Sequence, residues 1–145
     1  MQSTIEHGTF TIEHDYDAPI SKVYNAFADK SLKTKWFGAP DNYELDFRVG
    51  GKEINIAVPH EGTTFRYEGL YYDIVPSKRI IYTYDMYMND KCLSVSLATI
   101  EFTEVDGKTR VTLREDGAFL DGGDTSTVRE EGTRGFLDRL ETILQ

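Results

Sequence analysis

Residues 35–51, KWFGAPDNYELDFRVGG, are where the chain changes its period. Before them, Ile20, Val23, Tyr24 and Phe27 fall on one face of a helix that Pro19 suits as a first turn. A second short helix, KSLKTKWF at 30–37, stops at Gly38 ahead of Pro40. After them the period is two. Tyr43, Leu45, Phe47 and Val49 share one face of a strand, and Glu44, Asp46 and Arg48 share the other.

Working outward, GTFTIEHDYD at 8–17 alternates as a first strand. The paired glycines of RVGGK turn the chain into a strand marked by Ile54, Ile56 and Val58. HEGT turns again into the long run TTFRYEGLYYDIV at 63–75, where Gly69 predicts a bulge or a close backbone approach. PSKR, NDK and VDGK separate three more strands, ending in TRVTLREDG. The loop AFLDGGDTS leads to a last helix of about 20 residues, roughly 30 Å long, from around Thr125. Thr127 and Glu130 match a capping box there, and Val128, Gly132, Phe136, Leu140 and Ile143 recur at helical spacing. The order is strand, two short helices, six strands in meander and one long helix. It predicts an α+β fold, with a curved antiparallel sheet packed around the C-terminal helix.

The 145 residues predict one domain spanning 1–145, with no repeat or linker to divide it. The net charge is −9 and the basic residues are scattered among acids, a poor fit to nucleic acid or an anionic membrane. No run approaches the roughly 20 apolar residues of a membrane span, and MQSTIEHGTF has neither the basic start nor the apolar centre of a signal peptide. With Cys92 as the single cysteine, a cytoplasmic protein is the expectation.

Five stretches carry a family resemblance in order along nearly the whole chain: DAPISKVYNAFADKSLKTKWFG, DFRVGGKE, YEGLYYDIVPSKRIIYT, TIEFTEVDGKTRVTL and EEGTRGFLDRLETIL. Together they resemble the START-like (SRPBCC) superfamily with its helix-grip fold, and within it the branch of heat-shock-protein ATPase activator homologues. The resemblance implies a cavity between the concave sheet and the long helix, used to bind or transform apolar small molecules or, in some members, to engage protein partners. One departure stands out. Members usually carry Trp after the Glu-Gly of the last helix, whereas Thr133 follows Glu131 and Gly132 here.

On that frame Trp36 and Phe37 either cap the core or wall the open end of the cavity, with Gly38 and Pro40 in an adjoining gate. Phe65, Tyr67 and Tyr71 share a face if Gly69 does not shift the register, and Tyr82 and Tyr84 sit likewise on the next strand. Inward phenols would give an apolar wall with hydrogen-bonding tips; the alternative is plain core filling. Phe47, Gly132 and Phe136 complete the cavity candidates, and Gly132 and Gly135 signal either close approach to the sheet or space for a ligand. Arg48, Arg66 and Glu68 are the polar cavity candidates, able to polarise a carbonyl or move a proton, although surface ion pairing is the favoured reading for all three. His7, His14 and His60 lack ligand spacing, Cys92 lacks an activating neighbour, and DGGD at 121–124 lacks calcium-loop spacing, so no metal and no cofactor are expected. The leading expectation is a binding protein for an apolar, aromatic or lipid-like molecule. A cyclase- or dehydratase-like enzyme is the alternative. A regulator of a chaperone ATPase ranks last, since the co-chaperone behind the family name carries a further domain beyond this one. A homodimer is left open.

Overall fold

Tight reversals between alternating segments build a meander, and its two ends decide how it closes. The computed structural model describes residues 3–38 and 41–145. Its elements are β1 (Ile5–Tyr16), α1 (Ile20–Ala28), α2 (Lys30–Trp36), β2 (Tyr43–Leu45), β3 (Lys52–His60), β4 (Thr63–Val75), β5 (Arg79–Met88), β6 (Lys91–Val105), β7 (Lys108–Leu120) and α3 (Ser126–Ile143). The seven strands form one curved antiparallel sheet in the order β1-β7-β6-β5-β4-β3-β2. β1 pairs along its whole length with β7, from Ile5 opposite Leu120 to Tyr16 opposite Thr109. This is the helix-grip arrangement expected from the sequence.

Local chemistry sets the boundaries. Asp106 and Gly107 both have positive φ, 52° and 80°, as a two-residue hairpin turn between β6 and β7 requires. Asp29 caps α2 by accepting from the Leu32 amide at 3.2 Å. The cap of α3 is Thr125, whose Oγ1 accepts from the Val128 amide at 3.2 Å, rather than the expected pairing of Thr127 with Glu130. The strand expected from Tyr43 to Val49 ends at Leu45. Beyond it the chain folds back on itself, with the Gly51 amide on the Arg48 carbonyl and the Gly50 amide on the Tyr71 carbonyl, and Val49 is exposed.

The core lies between the sheet and the helices α1, α2 and the C-terminal half of α3. Phe10 and Ile12 of β1, Ile80 of β5, Ile100 of β6, and Val111 and Leu113 of β7 meet Val23, Phe27, Trp36, Leu137 and Leu140 there. Each such aliphatic side chain contributes about 1.5–3 kcal/mol on burial. Tyr16 donates to the Leu137 carbonyl at 2.8 Å and Lys22 to the Leu144 carbonyl at 2.7 Å, so this end of α3 is tied down by hydrogen bonds as well as packing. Its N-terminal half stands over a second, smaller cluster of Tyr67, Tyr84 and Ala98.

Candidate functional site

Three rows of inward-facing residues cross the sheet beneath that half of α3. Glu115, Ala98, Tyr82 and Tyr71 form the first row, and Gly117, Ser96, Tyr84, Gly69 and Glu53 the second. Phe119, Ser94, Met86, Tyr67 and Asn55 form the third. Large side chains thus alternate with Ala, Ser and Gly, and the gaps between them leave a hollow. Gly69 marks a close approach, since a Cβ there would sit 3.2 Å from the Tyr67 ring. The bulge is at Tyr72, where the β4–β5 register shifts. Phe65, Tyr67 and Tyr71 therefore stay on one face across Gly69.

The hollow is a pocket of about 240 Å³. Its floor is Tyr67, Tyr82, Tyr84 and Met86, with Leu113 and Glu115 from β7. Phe27, Lys33, Trp36, Phe37 and Asn55 wall one side, and Val128, Arg129, Gly132, Thr133, Phe136 and Leu137 of α3 form the roof, with Asp124 before it. Aromatic rings set the shape: Tyr67 stacks on Tyr84 with centroids 4.7 Å apart, and Phe37 meets Phe136 at 5.0 Å and Tyr67 at 5.1 Å. Apart from its chain neighbours and the helix's own backbone, no atom lies within 4 Å of where a Cβ on Gly132 would be. Space, not close approach, is what that glycine leaves.

Two polar networks bound the hollow. In the first, Lys33 Nζ lies 2.6 Å from Glu53 Oε2, which also accepts from the Tyr43 hydroxyl, while Tyr71 donates to Oε1 at 2.9 Å. Lys33 also sits over the Phe37 ring, 4.7 Å from its centroid. In the second, Arg129 donates to the Tyr84 hydroxyl at 2.9 Å, to Ser94 at 2.8 Å and to Asp124 at 2.7 Å, and Tyr84 donates to Glu115 Oε1 at 2.5 Å.

Burial pushes the Glu115 carboxyl up to about 7, against the opposing pull of the Tyr84 hydrogen bond and the Arg129 charge. Burial also raises the Tyr67, Tyr71 and Tyr82 phenols well above their ordinary range, so they stay protonated donors at neutral pH. Among the described residues no group of three or more His, Cys, Asp or Glu is placed to hold a metal ion.

Of the residues expected at the site, Trp36, Phe37, Tyr67, Tyr82, Tyr84, Gly132 and Phe136 line this pocket. Tyr71 and Phe47 pack together at 5.0 Å beside it, without lining it. Phe65 lies beyond, in a shallow groove with Ile56 and Pro59. The polar candidates are elsewhere: Arg48 is exposed and pairs with Asp46, and Arg66 pairs with Glu68 at 2.9 Å while covering the Tyr87 ring. Alternation sends residues 66 and 68 to the outer face of β4, opposite Tyr67. The gate residue Pro40 lies outside the described residues; Gly38 is packed against the Tyr43 ring.

The polar groups of these two networks, Lys33, Glu53, Glu115 and Arg129, are absent from the sequence expectation, although two of them leave a trace. Glu115 follows Val111 and Leu113 at period two, and Arg129 precedes Phe136, Leu137 and Leu140 by seven, eight and eleven residues. On β3 the apolar residues misled, because Ile54, Ile56 and Val58 face outward and Glu53 and Asn55 inward.

The profile of the family described as Activator of Hsp90 ATPase homolog 1-like protein matches residues 17–145. No curated protein matches the sequence. Among solved structures, an uncharacterized protein from Rhizobium leguminosarum is 37% identical, with a TM-score of 0.94 over 99% of this chain and 98% of its own. The Mll3558 protein from Rhizobium loti is 40% identical, with a TM-score of 0.91 over 96% and 98%. CV1439 from Chromobacterium violaceum, at 23% identity and a TM-score of 0.78 over 94% and 96%, shares the fold. With nearly the whole chain matched by one family and the helix-grip fold in place, this protein belongs to the Activator of Hsp90 ATPase homolog 1-like family.

Proposed function

We propose that this protein binds a small apolar or aromatic molecule in the pocket between its sheet and α3. The observation that carries the reading is the unfilled volume of about 240 Å³, walled by aromatic rings beneath α3, with the exposed Gly132 at its rim. A helical glycine costs about 1 kcal/mol relative to alanine. Here no clash at the pocket rim calls for the glycine. The volume falls just below the roughly 300–1,000 Å³ of pockets for drug-sized ligands, which suits a molecule of one or two rings. Few polar groups among many apolar ones is the composition expected of such a site.

A thermal-shift series with one- and two-ring aromatic compounds tests the reading. A binder raises the melting temperature in step with RT ln(1 + [L]/Kd). No shift with any compound, together with unchanged Tyr and Trp fluorescence, would reject it.

A further inference from the structure

Glu115 is only 4% exposed, and it has one oxygen too many for its surroundings. Oε1 accepts from Tyr84, while Oε2 has no hydrogen-bond partner among the described residues. Ser96 Oγ is the only side-chain nitrogen or oxygen among them that is both sealed from solvent and partnerless, so Glu115 Oε2 is not sealed, and the open space beside this buried residue is the pocket it lines. A buried acceptor aimed into a hollow calls for a donor from whatever fills it.

Charge decides which donor. Lys33 of α2 is neutralised by Glu53 of β3 at 2.6 Å, and Arg129 of α3 by Asp124 at 2.7 Å. Tyr82 and Tyr84 of β5 face Glu115 as neutral phenols. Among the described residues Glu115 is therefore the carboxyl lining this pocket that has no lysine or arginine in a direct ion pair with it. A neutral hydroxyl would satisfy its hydrogen bond and leave the charge uncompensated, whereas a cation satisfies both. The rings of Tyr82, Tyr84, Trp36 and Phe37 line the same pocket, and aromatic faces attract cations. A net charge of −9 also favours the approach of a positive ligand.

We infer that the pocket takes an aromatic or apolar amine in its protonated form, its ammonium N–H donating to Glu115 Oε2 and its ring lying among Tyr82, Tyr84 and Phe37. This rests on the ligand-binding reading above and narrows it to one chemical class.

Three matched probes test it on the full chain: 2-(aminomethyl)naphthalene, 2-(hydroxymethyl)naphthalene and 2-methylnaphthalene, titrated calorimetrically. At about pH 8, where Glu115 is ionised, the amine is expected to bind at least about tenfold more tightly than the alcohol, a difference of about 1.4 kcal/mol. At about pH 6 an alkyl ammonium is still protonated but Glu115 is largely neutral, and the preference is expected to shrink to about twofold. Glu115→Gln, checked for folding by its melting curve, is expected to remove the preference at both pH values. Should that variant fail to fold, the pH arm on the native protein decides. An alcohol or methyl probe that binds as tightly as the amine at about pH 8 overturns the inference and leaves the pocket reading standing. If none of the three binds, both fall.

Discussion

Lys33 and Glu53 face each other at 2.6 Å with side chains 7% and 1% exposed, and Tyr43 and Tyr71 supply further hydrogen bonds to the carboxylate. The pair joins α2 to β3, so the wall of the pocket that carries Trp36 and Phe37 hangs on it. Removing one member of a buried pair strands the other charge, at a cost of about 3–5 kcal/mol. Lys33→Met is expected to lose that much in urea unfolding, whereas Lys33→Met combined with Glu53→Leu regains part of the loss. A Lys33→Met loss below about 0.5 kcal/mol would show that the pair does not anchor the wall.

Gly132 offers the reverse experiment. Nothing outside the helix's own backbone lies within 4 Å of its missing Cβ, so Gly132→Ala is expected to stabilise the protein by up to about 1 kcal/mol through helix propensity alone. Gly132→Leu is expected to fold and to project into the pocket, weakening uptake of any aromatic ligand. Unchanged binding in the leucine variant would separate the helix roof from the ligand.

Titration of Glu115 has a defined sign. Its proton leaves near 4.5 in the unfolded chain and at about 7 in the folded one, so between those values the native state binds more protons. The stabilisation this contributes is complete below 4.5 and is lost as pH rises through about 7, on the order of 3 kcal/mol over the whole span. Other carboxylates titrate over the same range, so the measurement is the difference from Glu115→Gln. Wild-type stability is expected to fall against that variant as the pH is raised from about 4.5 to 7.5. A constant difference would place Glu115 in an ordinary environment.

Tyr84 holds both ends of the second network, receiving from Arg129 and donating to Glu115. Tyr84→Phe is expected to cost about 1–3 kcal/mol and to raise the Glu115 titration further, since the lost hydrogen bond favoured the carboxylate. Carbon-13 NMR of the Glu115 carboxyl reads the shift directly, and a downward shift would contradict the assignment.

On the outer face of β4, Arg66 and Glu68 form a half-exposed pair, worth about 0–1 kcal/mol. Arg66→Ala and Glu68→Ala are expected to leave both stability and ligand binding within about 1 kcal/mol of the native protein. A large loss of binding in either would return the polar chemistry to the outer face.

The helices, the meander and the final helix were legible because each rests on local periodicity and on turn chemistry such as Asp106-Gly107 or the pause at Gly38. The aromatic half of the site was legible for the same reason: once Gly69 keeps its register, Tyr67 must share a face with Tyr71. Its polar half was obscured by an assumption about hydrophobicity. Ile54, Ile56 and Val58 advertise an inward face, but β3 is the second strand from the sheet edge and presents them outward.

Sequence alone determined the order of strands and helices and most of the side chains that share a face, since these follow from spacings of two or about three and a half residues, although β2 stops at Leu45 and β7 runs on to Leu120. Tertiary structure decided which of the two faces of β3 turns inward, and that Lys33 from a helix meets Glu53 from a strand twenty positions away in the chain. A buried charge is tolerable only beside its partner, and no spacing within one segment can announce a partner supplied by another.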